Sequence, residues 1–299
     1  MVRGRFAPSP TGRLHVGNLR TALASWLASV REGGDVVVRI EDLDRANSSP
    51  EHASGQLQDL RDIGLEVEEA PWRQSERFGA YDAVIAELTG RGLTYPCYCT
   101  RREILEAASA PHGPEGAYPG TCRELDGAER RRREESGRPA AIRLRSGGEV
   151  VEFDDRLLGR YTGRVDDVVL RRNDGVPAYN LAVVVDDAEQ GVTQVVRGDD
   201  LAPSTPRQIL LQRLLGLPTP EYGHVPLVLG PDRERLAKRH GAVTLDDLRR
   251  LGIPPDDVRD ELLRSLGLPS VPLFEAASIF EWERVPRDPW IIPSRWQTR

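Results

Sequence analysis

The feature that most constrains this chain is the alternation at its start: a short strand, a Pro/Gly loop, an amphipathic helix and an apolar strand. Arg5-Phe6-Ala7 reads as a strand cut off by Pro8-Ser9-Pro10-Thr11-Gly12. From Asn18 onward Leu19, Leu23, Trp26, Leu27 and Val30 share one helical face, and Gly33-Gly34 supplies the stop. Val36-Val37-Val38 is a continuous apolar run of the kind a buried parallel strand needs, and it ends in Arg39-Ile40-Glu41-Asp42-Leu43-Asp44. A strand, crossover helix and strand of this size opens a doubly wound α/β sheet. Ligands of such sheets sit at the carboxyl ends of the strands, where His15 and Glu41 are both expected.

The rhythm breaks after residue 94. Residues 95–165, rich in Cys, Pro, Gly and Arg, read as an inserted subdomain between a first half (1–94) and a second half (166–242) of the α/β domain. The run Arg130 to Arg133 followed by Glu134-Glu135 reads as a solvated helix face, with RNA contact as the alternative. In the second half, strands are expected at Asp167 to Leu170, Ala178 to Val185, Val192 to Arg197 and Val225 to Leu229, with a helix at Leu210 to Leu217. Residues 243–299 read as a helical C-terminal segment broken at Pro254-Pro255 and Leu268-Pro269, with a Trp- and Pro-rich tail that has no periodicity. No internal repeat is apparent.

Composition narrows the class. No apolar stretch approaches the length of a membrane span and no secretory h-region follows Met1, so a cytoplasmic protein that does not contact membranes is expected. A net charge of −6 does not advertise a nucleic-acid binder, although a local basic face can sit on an acidic protein. Of 41 basic residues only Lys238 is a lysine, which draws attention to the loop that holds it. An ammonium is a compact point charge where a guanidinium is a broad planar fork. Cys97, Cys99 and Cys122 are the only cysteines, too few and too clustered for a disulfide framework. As metal ligands, three thiolates need a fourth group, and generic chemistry favours His112.

Two short motifs carry the chemistry. His15-Val16-Gly17-Asn18 opens the first helix, where backbone N–H groups and an imidazole suit the phosphates of a nucleotide. Gly17 would let the nucleotide approach the backbone, while a capping or packing role for the histidine is the bland alternative. Arg235-Leu236-Ala237-Lys238-Arg239 gathers three cations that could stabilise a leaving pyrophosphate, or else forms a solvated charge run.

With these residues in hand a resemblance becomes specific. Arg5 to Gly12 with His15-Val16-Gly17-Asn18 resembles the glutamyl-tRNA synthetase version of the class I "HIGH" signature. Arg39 to Asp44, Tyr179 to Asp187, Val196 to Asp200 and Thr205 to Gln208 are similar to later blocks of that family, in the family's order. Arg235 to Arg239 stands at the "KMSKS" position, with Arg and Ala where the family has the first Lys and a Ser. The resemblance implies a Rossmann-like catalytic domain that makes glutamyl-adenylate from L-glutamate and ATP. It implies that Arg5, Ser9 and Glu41, with the neighbouring Phe6, Ala7 and Pro8, hold the glutamate, and that Tyr179 and Arg197 complete the pocket. His15, Gly17, Asn18 and the segment Arg235, Leu236, Ala237, Lys238 and Arg239 would bind ATP. His15 and Lys238 would be catalytic, and Mg²⁺ is expected on the phosphates. Cys97-Tyr98-Cys99 with Tyr118-Pro119-Gly120-Thr121-Cys122 resembles a structural zinc site of the family, which points to Tyr118 as the fourth ligand.

The sequence runs some 60 residues past the second signature, to Arg299, and its tail Phe280 to Trp290 also resembles the short paralogue family, the glutamyl-Q tRNA(Asp) synthetases. That resemblance implies transfer of the activated glutamate to the queuosine base in the anticodon loop of tRNA(Asp), by a monomer. A truncated glutamyl-tRNA synthetase charging a tRNA 3′ end, or a non-catalytic RNA-binding homologue, are the alternatives at this stage.

Overall fold

A computed structural model describes residues 1–67, 69–100, 102–104, 118–236 and 243–296. Strand β1 (Arg3–Phe6) pairs in parallel with β2 (Asp35–Ile40), and β2 with the short β3 (Trp72–Arg73). Helix α1 (Val16–Arg31) makes the crossover; Leu19, Leu23 and Leu27 are fully buried, and Gly33 closes the helix at a φ of 70° that side-chain-bearing residues avoid. A four-stranded group continues the sheet. β9 (Gln194–Gly198) pairs in parallel with β10 (Glu221–Val225), β10 with β6 (Val150–Asp155), and β6 antiparallel with β7 (Gly159–Arg164).

The two groups meet between β1 and β9, where Thr193 N–H donates to the Arg3 carbonyl at 2.9 Å and Arg3 N–H donates to Thr193 Oγ1 at 2.9 Å. The strand order therefore reverses beside β1, which is the switch point where an open α/β sheet leaves a crevice. The hairpin of β6 and β7 falls inside 95–165 yet joins this sheet. Within 94–171, β4 (Thr94–Cys97), β5 (Ala141–Leu144) and β8 (Val169–Arg171) form a separate antiparallel sheet beside the cysteines. The arginine run lies on a helix, Gly127–Glu135, that buries none of its residues.

Two expected strands differ in the structure. Ala178 to Val185 is helical: Tyr179–Glu189 is a helix whose residues Leu181 to Asp187 are all buried. A continuous apolar run buried on every side has no polar face to set a period, so strand and helix look alike in sequence. Val225 to Leu229 is two elements, because β10 begins at Glu221 and Pro226, which has no N–H to donate, stands between it and β11 (Val228–Leu229). The tail is also ordered: β12 (Trp290–Ile291) pairs with β11, and Trp296 is buried.

The helices of the C-terminal segment pack on α1. Arg20, buried on α1, donates to the Pro226 carbonyl at 2.8 Å, to Ser265 Oγ at 2.9 Å and to the Ser265 carbonyl at 3.1 Å, locking Pro255–Ser265 against the sheet. Val16 N–H donates to the Val243 carbonyl at 2.8 Å, which returns the chain to the start of α1. Among the described residues no helix is long and apolar enough to cross a membrane.

Candidate active site

A cleft of about 730 Å³ opens at the carboxyl ends of β1, β2, β9 and β10. Every described residue expected to bind glutamate or nucleotide lines it: Arg5 to Ser9, Glu41, Tyr179 and Arg197 at one end, and His15, Gly17, Asn18, Arg235 and Leu236 at the other. Ala237, Lys238 and Arg239 lie outside the described residues.

The first end is a buried charge network. Arg39, 0% exposed, reaches Glu41 at 3.3 Å, Asp187 at 2.8 Å, Asp186 at 3.6 Å and Gln190 Oε1 at 2.8 Å. Arg5 lies 3.6 Å from Asp187, and its Nε has no hydrogen-bond partner. Asp186 in turn accepts from Gln74 (2.9 Å), Arg77 (2.7 Å) and the Tyr81 hydroxyl (2.8 Å). Burial opposes charge on Arg39, but the three carboxylates around it hold its proton more tightly than usual. Burial pushes Glu41 above the usual carboxylate range, against the pull of Arg39 and Arg5, so this carboxylate gains from a cationic ligand.

Arg197, on β9, is 3% exposed. Its Nε donates to His224 Nε2 at 3.1 Å and its Nη2 to Thr205 Oγ1 at 2.7 Å, while Nη1 is buried without a partner. Arg197 lines the cleft, and a guanidinium there with no carboxylate partner suits a carboxylate ligand.

The second end is built from the loop and helix at residues 9–18. Gln56 Nε2, from α2 (Pro50–Asp62), donates to the Ser9 carbonyl at 3.0 Å and the Gly12 carbonyl at 2.7 Å, fixing the Pro/Gly loop across its mouth. Leu14 N–H donates to Asp59 at 3.3 Å, and Arg13 pairs with the same carboxylate. His15 is the N-cap of α1: its Nδ1 accepts from Asn18 N–H at 3.2 Å, and Asn18 Oδ1 accepts from His15 N–H at 3.1 Å. The cap and the cleft wall are thus one residue. An accepting Nδ1 leaves the imidazole proton on Nε2, and burial keeps the ring's pKa below its ordinary value. A Cβ on Gly17 would stand 2.9 Å from the His15 ring and 3.3 Å from Val228, so this glycine is required first of all by the histidine packed on it. Arg235 pairs with Asp200 at 3.3 Å across the cleft.

Away from the cleft, the Sγ atoms of Cys97, Cys99 and Cys122 lie within 4.8 Å of one another, a group that could hold a metal ion. Tyr118 completes the set. Its hydroxyl is 3.4 Å from Cys97 Sγ and 3.8 Å from Cys99 Sγ, and it accepts from Cys122 N–H at 2.9 Å. Burial and the neighbouring thiols push Cys99 up to about 12, a penalty that a cation among the sulfurs would remove. Three sulfurs and one oxygen in this span fit a four-coordinate ion. His112 lies outside the described residues.

The network residues Arg39, Asp186, Asp187, Asp155, His224 and Thr205 had no role assigned from sequence. Arg39, Asp186, Asp187 and Thr205 stand inside quoted motif blocks, but only the fold reveals which of them face one another. Asp155 and His224 stand outside those blocks, and a lone histidine near a strand end gives little warning.

Comparison with known proteins agrees with this geometry. The family described as tRNA synthetases class I (E and Q), catalytic domain, matches residues 1–285. A glutamyl-Q tRNA(Asp) synthetase of Nocardia farcinica is 59% identical over 97% of this chain and 92% of its own length. One from Symbiobacterium thermophilum is 49% identical over 98% and 97%. The crystal structure of a glutamate tRNA ligase from Elizabethkingia meningosepticum, in complex with its amino acid, superposes with a TM-score of 0.84 at 29% identity, covering 98% of this chain and 67% of that one.

Proposed function

The chain belongs to the class I tRNA synthetases of the E and Q group, and on that premise we propose that it activates L-glutamate with ATP and transfers the glutamyl group to the queuosine base of tRNA(Asp). A glutamate α-carboxylate oxygen attacks the α-phosphorus of ATP, and the bond to pyrophosphate breaks. A ring hydroxyl of queuosine then attacks the activated carbonyl, forms an ester and releases AMP. No side chain need act as general base; positioning and charge stabilisation supply the acceleration.

The observation that carries the amino-acid half of this reading is that Arg5, Arg197 and Glu41 line one pocket, with no carboxylate paired to the Arg197 guanidinium among the described residues. That layout suits a ligand with two carboxylates and an ammonium. Arg5, Ser9, Tyr179 and Arg197 take the carboxylates, Glu41 attracts the ammonium, and Phe6, Ala7 and Pro8 form the wall. His15 Nε2–H, Gly17, Asn18 and the N-terminus of α1 meet the ATP phosphates, joined by Arg235 to Arg239 with Lys238 on the departing pyrophosphate. Mg²⁺ on the phosphates offsets their charge. Cys97, Cys99, Tyr118 and Cys122 would hold a Zn²⁺, which would tie the insert together.

The choice of acceptor rests on the 59% and 49% identity to relatives named for tRNA(Asp). Labelled glutamate should enter tRNA(Asp) that carries queuosine, and nuclease fragments should place it in the anticodon loop. Unmodified transcript should stay unlabelled. Efficient charging of tRNA(Glu) at its 3′ end would replace this reading with an ordinary glutamyl-tRNA synthetase activity.

A further inference from the structure

Behind Arg197 lies a chain of buried polar groups that the proposed chemistry does not use. Asp155, at the end of β6, and His224, on β10, come from segments 69 residues apart, and the His224 side chain is fully buried. Asp155 Oδ2 is 2.6 Å from His224 Nδ1. Asp155 Oδ1 accepts from three backbone N–H groups, those of Leu157 (2.9 Å), Leu158 (2.9 Å) and His224 (3.2 Å). His224 Nε2 faces Arg197 Nε at 3.1 Å, with the Thr205 hydroxyl 3.2 Å away. The ring stacks on Tyr222, with centroids 6.1 Å apart and planes 8° from parallel, so its edges alone meet polar groups.

An arginine Nε can only donate, so Nε2 must offer a lone pair and the proton of a neutral imidazole sits on Nδ1, where Asp155 accepts it. Burial, with the charges of Arg197 and Arg5, keeps His224 below its ordinary pKa even though Asp155 pulls the other way, so the neutral ring is the resident form. We infer that Asp155 and His224 are positioning residues for Arg197: Asp155 selects the Nδ1–H tautomer, and the bare Nε2 fixes the guanidinium in the cleft wall, in place for a substrate carboxylate. This rests on the reading of the cleft as a glutamate site. It adds two residues, neither touching substrate, on which the selectivity of that site depends.

The isosteric variant Asp155→Asn tests it. The three N–H groups at Oδ1 hold the amide oxygen in that place, which turns the amide NH₂ toward Nδ1. The ring must then carry its proton on Nε2, donor against donor at Arg197. The KM for glutamate should rise about 10- to 100-fold while the KM for ATP and kcat change little, because one buried donor loses its acceptor at the amino-acid end only. In ¹⁵N NMR of the wild type, His224 should be protonated at Nδ1, and the variant should move the proton to Nε2. His224→Gln, whose amide oxygen can reach the Nε2 position, should retain more glutamate affinity than His224→Leu, and this pair replaces Asp155→Asn if that variant does not fold. A wild-type KM for glutamate in Asp155→Asn, an equal rise in both KM values, or an Nε2–H ring in the wild type overturns the inference. Absence of glutamate-dependent activity in the wild type would instead sink the functional reading, and the NMR tautomer would still judge the role of Asp155.

Discussion

At the inner end of the cleft buried charged side chains are held largely by groups from distant segments, whereas at the α1 end the cleft histidine is held by a neighbour in sequence. Arg39 ties β2 to the helix Tyr179–Glu189 through Asp186 and Asp187, and also reaches Glu41 just past its own strand. His15 is held by Asn18, three residues on, and the loop before it by Gln56. The difference matches what each end has to recognise in the proposed function. A small zwitterion with two carboxylates is told from its amide only by charges fixed in advance, and buried charges stay fixed when neighbouring groups hold them. Phosphates carry charge enough to be held by a helix N-terminus and a few cations, so a local cap suffices.

The sharpest way to break this contrast is Arg39→Leu. It leaves Glu41, Asp186 and Asp187 buried with less counter-charge and should destabilise the protein by about 3–5 kcal/mol in denaturant unfolding, since one partner of a buried network has been removed. A loss under about 1 kcal/mol, the range of exposed pairs, would show that the network is not what holds the inner end.

Next in size come substitutions that separate the two ends by function. Arg5→Ala should weaken glutamate binding by roughly 2–4 kcal/mol, about 30- to 1000-fold, and leave ATP affinity near wild type. Lys238→Ala should do the reverse, lowering the rate of pyrophosphate exchange with little change in glutamate affinity. If both variants alter both substrates equally, the division of the cleft is wrong.

The smallest effect is the cap. His15→Ala should cost about 1 kcal/mol of stability, the usual worth of an N-cap, besides slowing exchange. Acid pH probes both histidines. His15 and His224 have folded pKa values lowered below 6.5 by burial, so the unfolded chain takes up protons first as pH falls. Stability is therefore fully present above 6.5 and declines as pH drops from 6.5 through the lowered values. For His224 the facing groups are Asp155, Arg197, Arg5 and Asp199, with Tyr222 stacked on the ring. Its protonation sets Nε2–H against Arg197, so the KM for glutamate should rise as pH falls through the lowered value of the folded ring. A flat profile in both quantities would mean that neither ring is held neutral by the fold.

How much of this was legible in the sequence follows the same contrast. The α1 end could be read because its residues are contiguous: a Pro/Gly loop, a capping histidine and a glycine lie within ten positions, 8 to 17. The three cysteines, close in sequence, were legible for the same reason, and the resemblance pointed to Tyr118, which the structure places among them. The inner end was visible only as separate residues. Arg39 lies in a strand whose alternation does not say which charge it meets. Asp186 and Asp187 end an apolar run that sequence presents as a strand and the fold makes a buried helix. Asp155 and His224 become neighbours only because β6 pairs with β10, through the single register pair Tyr222 and Asp155. Long-range pairing of this kind leaves no periodic trace.

ATP–pyrophosphate exchange on the intact chain, measured with glutamate and with glutamine, in the presence and absence of queuosine-bearing tRNA(Asp), is the most direct test of a charge-reading pocket. Exchange supported by glutamate and not by glutamine is the predicted result, because Arg197 and Arg5 are arranged for a carboxylate that glutamine lacks. Equal exchange with glutamine, or none with either amino acid under both conditions, would contradict it.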